Sequence, residues 1–328
     1  MSPVTPNAPS GATVHGGERM LAWLPVPPED LDGLPDCLDY AHWDGQGGFP
    51  TEPARVTFYA PPMTKDPDVI LRPLPHMSRL RVLQALSTGV DYLLPHLRPD
   101  VLLCNARGLH NGGTAELALT LTLAALRGVP DFVRNQAAGR WQEGIRPSLS
   151  GAAVLIVGYG SIGAAIEERV LPFGSEVERV AGSSRWSPRG PVHAPSALDK
   201  LLPRADVVIL SVPLTESTRH LVDADFLKTM KDGALLVNVA RGAVVDTEAL
   251  LAEVQSGRLQ AALDVTDPEP LPREHPLWTA PGVLISPHAG AFTIAFVPQV
   301  KRMLTMQLNR LARGQVLHNA VLAVPAAG

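Results

Sequence analysis

Five consecutive apolar residues, Ala153-Val154-Leu155-Ile156-Val157, run without a break into Gly158-Tyr159-Gly160-Ser161-Ile162-Gly163 and then into Ala164-Ala165-Ile166-Glu167-Glu168. The first run has the length and β-branched content of a buried strand, and the last reads as a helix. A glycine pattern held between a strand and a helix is far more specific than the glycines alone. Gly158 then serves the tight turn, Gly160 lets backbone approach a pyrophosphate, and Gly163 allows close helix-to-strand packing, with the helix N-terminus facing the anion. A dinucleotide loop is expected here, with Tyr159, Ser161 and Ile162 as its remaining members.

The rest of the chain extends this unit. After Ser150 apolar strand signals recur at 177–180, 206–212, 234–239, 261–265 and 283–286, mostly separated by helical segments, the pattern of a parallel sheet covered on both faces. Before it, short apolar runs at 21–24, 55–59, 82–86 and 101–104 alternate with proline-rich turns and read as a second set of strands. The stretch from Ala115 to Leu126 is too long and uniformly apolar for a strand, so a buried helix is expected, capped by Thr114 and closed by Gly128 and Pro130. A last helical pattern runs from about Ala291 to Ala312 and ends at Gly314, outside the regular series, which suggests a return to the first domain.

At 328 residues two domains are the default. With 45% hydrophobic and 18% charged residues the chain has ordinary globular composition, and only 1–18, rich in Pro, Gly and Ser, reads as a flexible tail. A net charge of −4 without a basic run excludes nucleic acid as the expected partner. Cys37 and Cys104 lack metal-ligand spacing, so neither a metal nor a disulfide is expected. No apolar run approaches a membrane span and no signal peptide opens the sequence, so a cytoplasmic protein without a membrane partner is expected.

The strand after the glycine loop normally ends in an acid that binds the ribose 2′-hydroxyl of NAD. Here Val177-Glu178-Arg179-Val180 is followed by Ala181-Gly182-Ser183-Ser184-Arg185, where no acid occurs and two hydroxyls and a guanidinium stand ready for a 2′-phosphate. NAD(P) is therefore the expected cofactor, with NADP favoured, although NAD held by other contacts is the alternative.

Arg241, Asp264 with Glu269, and His288 each fall just past a predicted strand, at the edge where open α/β sheets bind ligands. A 2-oxo acid presents a carboxylate beside a carbonyl, and a planar guanidinium can engage both, which suits Arg241. As hydride adds to the carbonyl carbon, the oxygen needs a proton donor titrating near neutrality, which suits His288. A carboxylate beside that histidine favours its protonated form and fixes its ring, which suits Glu269. Singly each residue has an ordinary surface or strand-end explanation, and only jointly do they point to catalysis.

From Met20 onward the sequence resembles the D-isomer-specific 2-hydroxyacid dehydrogenase family, at the glycine loop, at Ser211-Val212-Pro213-Leu214-Thr215, at Asn238 to Gly242, at Leu263 to Pro270 and at Pro287-His288. The resemblance implies two doubly wound parallel-sheet α/β domains, a Rossmann nucleotide-binding domain (108–291) inserted into a discontinuous flavodoxin-like substrate domain (1–107 and 292–328), with the active site in the cleft between them. It implies catalysis by Arg241, Glu269 and His288. Cofactor contacts would come from Thr114, Val212, Pro213, Thr215, Val239, Ala240, Arg241, Asp264, His288 and Gly290 as well as the loop and 183–185, with Asp264 meeting the nicotinamide carboxamide. Thr88 and Gly89 of Ser87-Thr88-Gly89-Val90 would hold the substrate carboxylate together with Arg241 and His288.

The activity so implied is D-specific hydride transfer between NAD(P)H and a small 2-oxo or 2-hydroxy acid of glyoxylate, hydroxypyruvate or 2-ketoacid type. Phosphite oxidation and a nucleotide-sensing, corepressor-like role are the alternatives; Glu269 counts against formate oxidation, whose branch carries glutamine there. A homodimer is expected, because the 115–126 helix is apolar nearly all round.

Overall fold

The computed structural model describes residues 18–64, 66–90 and 92–321, so the tail expected at the N-terminus lies outside them except for Glu18. The chain divides into two compact units, one made of the residues through His110 together with those from Ile294 on, the other of Asn111–Thr293.

The first unit carries β1 (Met20–Leu24), β2 (Leu38–His42), β3 (Val56–Tyr59), β4 (Val82–Gln84), β5 (Leu102–Cys104) and, from the far end of the chain, β14 (Ala320–Val321). They pair in the order β2-β1-β3-β4-β5-β14, parallel except for β14, and the first five strands have the order of a flavodoxin-like sheet. Neighbouring residues along the strands enter opposite cores. Met20, Ala22 and Leu24 of β1 join Phe58, Val82 and Cys104 on one face, while Leu21 and Trp23 join Tyr59, Leu83 and Leu103 on the other. The first of those faces is covered by the helix Phe296–Ala312, whose Val300, Met303, Leu304, Gln307, Leu308 and Leu311 recur at helical spacing. Buried Gln307 donates from Nε2 to Gln84 Oε1 at 2.6 Å and to the His318 carbonyl at 3.0 Å, tying the helix to β4 and to the turn before β14.

The second unit holds β6 (Ala153–Val157), β7 (Glu176–Val180), a hairpin of β8 (Arg185–Ser187) and β9 (Gly190–Val192), then β10 (Val207–Leu210), β11 (Leu235–Asn238), β12 (Gln260–Leu263) and β13 (Val283–Ile285). The main sheet is wholly parallel, in the order β7-β6-β10-β11-β12-β13. Again both faces are dry: Leu155, Val208, Leu210, Leu236 and Leu263 enter one core, and Val154, Ile156, Val207, Ile209, Leu235 and Val237 the other. Burial on both faces explains why the central strands β6 and β10 read as unbroken apolar runs, which the edge strand β7 does not.

Several local expectations change. The helix expected from Ala115 begins at Asn111, so Thr114 is an interior residue of its first turn and not its cap. Gly128, at φ 67°, ends that helix at Arg127, but Pro130 opens a second helix, Val129–Ala137, in place of a loop; proline is compatible with a first turn because its missing N–H has no partner to lose. The final helix starts at Phe296, five residues later than its pattern suggests.

Candidate active site

Sheet order reverses at β6, which has β7 on one side and β10 on the other, and such a switch point opens a crevice at the strands' C-terminal ends. The glycine loop lies there. Gly158 has φ +105°, and a Cβ on it would stand 2.4 Å from the Val212 backbone nitrogen. Its carbonyl accepts a hydrogen bond from Ser211 Oγ at 3.0 Å, so the loop is held against the end of β10. A Cβ on Gly163 would meet the Gly158 carbonyl at 2.8 Å, which explains the third glycine as a packing requirement. Gly160 differs: a Cβ there meets nothing within 4 Å. The helix Ser161–Val170 starts directly behind it with no side chain capping its N–H groups. Open space in front of an uncapped helix N-terminus fits the pyrophosphate of a dinucleotide. Gly158→Ala is expected to weaken cofactor binding about 10- to 100-fold, from backbone strain of about 1–3 kcal/mol plus the clash with Val212, as read by calorimetric titration. Unaltered affinity would count against this placement of the pyrophosphate.

The second residue of the loop turns inward. Tyr159 donates its N–H to the Val180 carbonyl at 2.8 Å and its buried phenol hydroxyl to Glu167, while its own carbonyl accepts from the Arg185 guanidinium. Arg185 thus stands beside the glycine loop from β8, just beyond the end of β7. Ser183 and Ser184 are exposed in the intervening turn, and the positions of the missing ribose acid are occupied by Ala181 and Gly182.

The candidate acid–base and substrate-binding residues follow three neighbouring strands, β11, β12 and β13. Their last residues are in register, Asn238 opposite Leu263 and Leu263 opposite Ile285, so the segments leaving them start level, about 4.8 Å apart. After β11, buried Asn238 accepts from Ala240 N–H at 3.0 Å and donates from Nδ2 to the Arg241 carbonyl at 3.1 Å, shaping the turn that presents Arg241. Val239 and Ala240 are buried, leaving only their backbone to meet a ligand. Gly242 is required for another reason: a Cβ there would sit 1.8 Å from the Thr266 carbonyl oxygen. The Arg241 turn therefore lies directly on the segment that leads to Glu269.

After β12 comes Asp264, buried, whose Oδ1 accepts from Ser286 Oγ at 2.6 Å and Ala289 N–H at 2.7 Å, and whose Oδ2 accepts from Gly290 N–H at 3.0 Å. Three donors on one carboxylate hold the loop after β13 closed around His288. That histidine has φ +52°, a left-handed conformation that side chains rarely adopt, stabilised by its N–H donating to the Asp264 carbonyl at 2.7 Å. Its Nδ1 lies 2.5 Å from Glu269 Oε1.

The other candidate positions lie on several elements. Thr114 lies under the His288 loop, its Oγ1 3.5 Å from where a Cβ on Gly290 would be. Val212 adjoins Gly158, and the turn that begins with Pro213 is closed by Thr218, whose hydroxyl donates to the Pro213 carbonyl at 2.6 Å and accepts from Thr215 N–H at 2.8 Å. In the first unit Thr88 and Gly89 follow β4, in a loop fixed by Ser87 Oγ donating to the Gly89 carbonyl at 2.8 Å and Asn105 Nδ2 to the Thr88 carbonyl at 3.1 Å. Sequence reading assigned no role to Asn238, Gly242 or Ser286; their signal was adjacency to Arg241 and His288, and their work is to shape backbone.

Fold and loop define a dinucleotide-binding protein built on open α/β sheets. A family-wide profile described as D-isomer specific 2-hydroxyacid dehydrogenase, NAD binding domain, matches residues 119–290. A glyoxylate reductase/hydroxypyruvate reductase of Mus musculus is 37% identical over 230 residues, 66% of this chain and 69% of that protein. A glyoxylate reductase of Thermofilum pendens is 32% identical over 248 residues, 72% and 73% of the two chains. A solved D-isomer specific 2-hydroxyacid dehydrogenase from Xanthobacter autotrophicus Py2, in complex with NADPH and MES, is 28% identical with a TM-score of 0.75, covering 92% of this chain and 98% of that one. The chain belongs to the D-isomer specific 2-hydroxyacid dehydrogenase family, and it is an NAD(P)-dependent 2-hydroxyacid dehydrogenase.

Proposed function

We propose that the chain reduces a small 2-oxo acid of the glyoxylate or hydroxypyruvate type to the D-2-hydroxy acid, with NADPH as the preferred reductant and Arg241, Glu269 and His288 as the acid–base and substrate-binding set. The observation that carries this reading is the His288–Glu269 pair at 2.5 Å, at the end of the strand next to the one that leads to Asp264.

The nicotinamide supplies the hydride when bound. Everything else falls to side chains of this chain. With Nδ1–H donating to the Glu269 carboxylate, His288 carries on Nε2 the proton that the developing alkoxide takes up. Glu269 keeps the ring in that tautomer and stabilises its positive charge. Arg241 holds the substrate carboxylate and polarises the adjacent carbonyl. Asp264, with its carboxylate engaged by the 286–290 loop, would have only the remaining lone pair of Oδ2 to offer a nicotinamide carboxamide.

NADPH is favoured by the guanidinium of Arg185 beside the loop and by the lack of an acid at 181 and 182, and the Xanthobacter relative was solved with NADPH. A panel of 2-oxo acids with NADPH and NADH, followed at the nicotinamide absorbance, tests the whole reading. Glyoxylate or hydroxypyruvate with NADPH should give the highest kcat/KM, and Arg185→Ala should erode the NADPH advantage about tenfold, the worth of one charge-assisted contact. A clear NADH preference overturns the cofactor part, and oxidation of phosphite without reduction of any 2-oxo acid overturns the substrate part.

The assembly we infer is a homodimer. Large apolar side chains of the 111–127 helix are at least partly covered within its own unit, so it is not that helix which most needs a partner. Apolar exposure concentrates just after it: Phe132 and Val133 are about half exposed, and Trp141 and Ile145 stand almost wholly in solvent at 92% and 103%. Such a concentration of exposed apolar side chains in one stretch of chain favours a second copy. Light scattering should return twice 35.0 kDa, and a constant monomer mass on dilution from high concentration would refute it.

A further inference from the structure

Beneath the nucleotide loop lies a carboxylate that neither hydride transfer nor substrate binding uses. Glu167, in the helix Ser161–Val170, has no solvent exposure at all. A carboxylate so placed is stable only when charged and hydrogen-bonding partners surround it. Its partners come from three segments. The Tyr159 phenol, from the loop, donates to Oε2. Arg179, from β7, donates to Oε1 from Nε at 2.9 Å and from Nη2 as well. Arg189, from the turn between β8 and β9, brings Nη1 to 3.9 Å from Oε2 and donates to the Ala164 carbonyl at 3.2 Å. Burial, then the bond to Glu167, holds the Tyr159 phenol above its usual range, and the Glu167 hydrogen bond keeps Arg179 firmly protonated, so both remain donors.

These contacts converge on the small β8–β9 hairpin. Two strands alone are marginal in water and need external anchors. This hairpin has the Val180–His193 bridge on one side and, on the other, Arg189 near Glu167 and Arg185 on the Tyr159 carbonyl. Its first residue is the same Arg185 that stands where the adenosine ribose binds in folds of this kind. Tyr159 therefore faces two ways: its phenol is fixed by Glu167, and its carbonyl fixes Arg185.

We propose that Glu167 is a positioning residue for cofactor discrimination, holding Tyr159 and Arg179 so that the hairpin keeps Arg185 against the loop, where it meets a 2′-phosphate. This rests on the reading of Arg185 given above. The role is separate from pyrophosphate binding at Gly160, so loss of Glu167 should affect one end of the cofactor selectively.

Calorimetric titration of the full chain with adenosine 2′,5′-bisphosphate and with adenosine 5′-monophosphate isolates that end. Wild type should prefer the bisphosphate by about tenfold or more, and Glu167→Gln should remove about tenfold of that preference while shifting monophosphate affinity less than about twofold. Arg189→Ala, which cuts the hairpin's own link to Glu167 at a partly exposed side chain, should show the same selective loss at about threefold and carries the test if the Gln variant does not fold. Equal weakening of both probes would mean a merely structural role and overturn the proposal, as would an unchanged ratio. Failure of the underlying reading looks different: wild type itself would not distinguish the two probes, and Arg185→Ala would change neither affinity.

Discussion

Replacing His288 by alanine is expected to lower kcat for 2-oxo acid reduction by roughly two to four orders of magnitude, the usual worth of a positioned proton donor. Cofactor affinity should change little if, as proposed, the pyrophosphate is held by the loop after β6. The left-handed backbone at this position adds a second consideration. Asparagine tolerates φ near +52° better than alanine does, so His288→Asn keeps the loop with less strain and should show the same chemical defect. Single-turnover kinetics separate that defect from product release. Full activity in either variant would reject His288 as the proton donor.

Arg241→Ala should fail in another way. Losing the guanidinium removes both the carboxylate partner and the group that polarises the carbonyl, so KM should rise while kcat falls, lowering kcat/KM by roughly three orders of magnitude. Arg241→Lys should recover only part of this, since an ammonium lacks the planar fork. An Arg241→Ala enzyme whose KM is unchanged would remove the arginine from substrate binding. Because Gly242 sits on Thr266, substitutions at 242 would disturb Arg241 and Glu269 together and cannot separate their roles.

The parallel core was legible because burial on both faces leaves apolar runs, as in Ala153–Val157 and Val207–Leu210, that no loop or surface helix imitates. The candidate chemistry was legible because its residues stand immediately beyond those runs. Elements at the margin were not. β2, Leu-Asp-Tyr-Ala-His, is an edge strand with one deeply buried residue and reads as polar loop. The β8–β9 hairpin contains Pro191 and little apolar content, and it is anchored by buried Val192, by the Val180–His193 bridge and by arginines reaching Tyr159 and Ala164, contacts no local pattern encodes. Asp264 had the right position, but its three donors lie 22 to 26 residues away, so only the folded loop reveals it as the organiser of the His288 turn.

The first unit is assembled from both ends of the chain, and that has a temporal meaning. Met20, Leu24 and Phe58 wait for Val300, Leu304 and Leu308 to cover them, and the open edge of β5 waits for β14. At a synthesis rate of about 5–20 residues per second, the roughly 200 residues in between impose a delay on the order of 10–40 s, during which the nascent sheet has one face and one edge bare. The Asn111–Thr293 unit suffers no such delay, since its strands are all made before its last residue leaves the ribosome. During biosynthesis the nucleotide-binding half would therefore reach its native state first, and chaperone demand should fall on the other half, ending only when the last helix emerges.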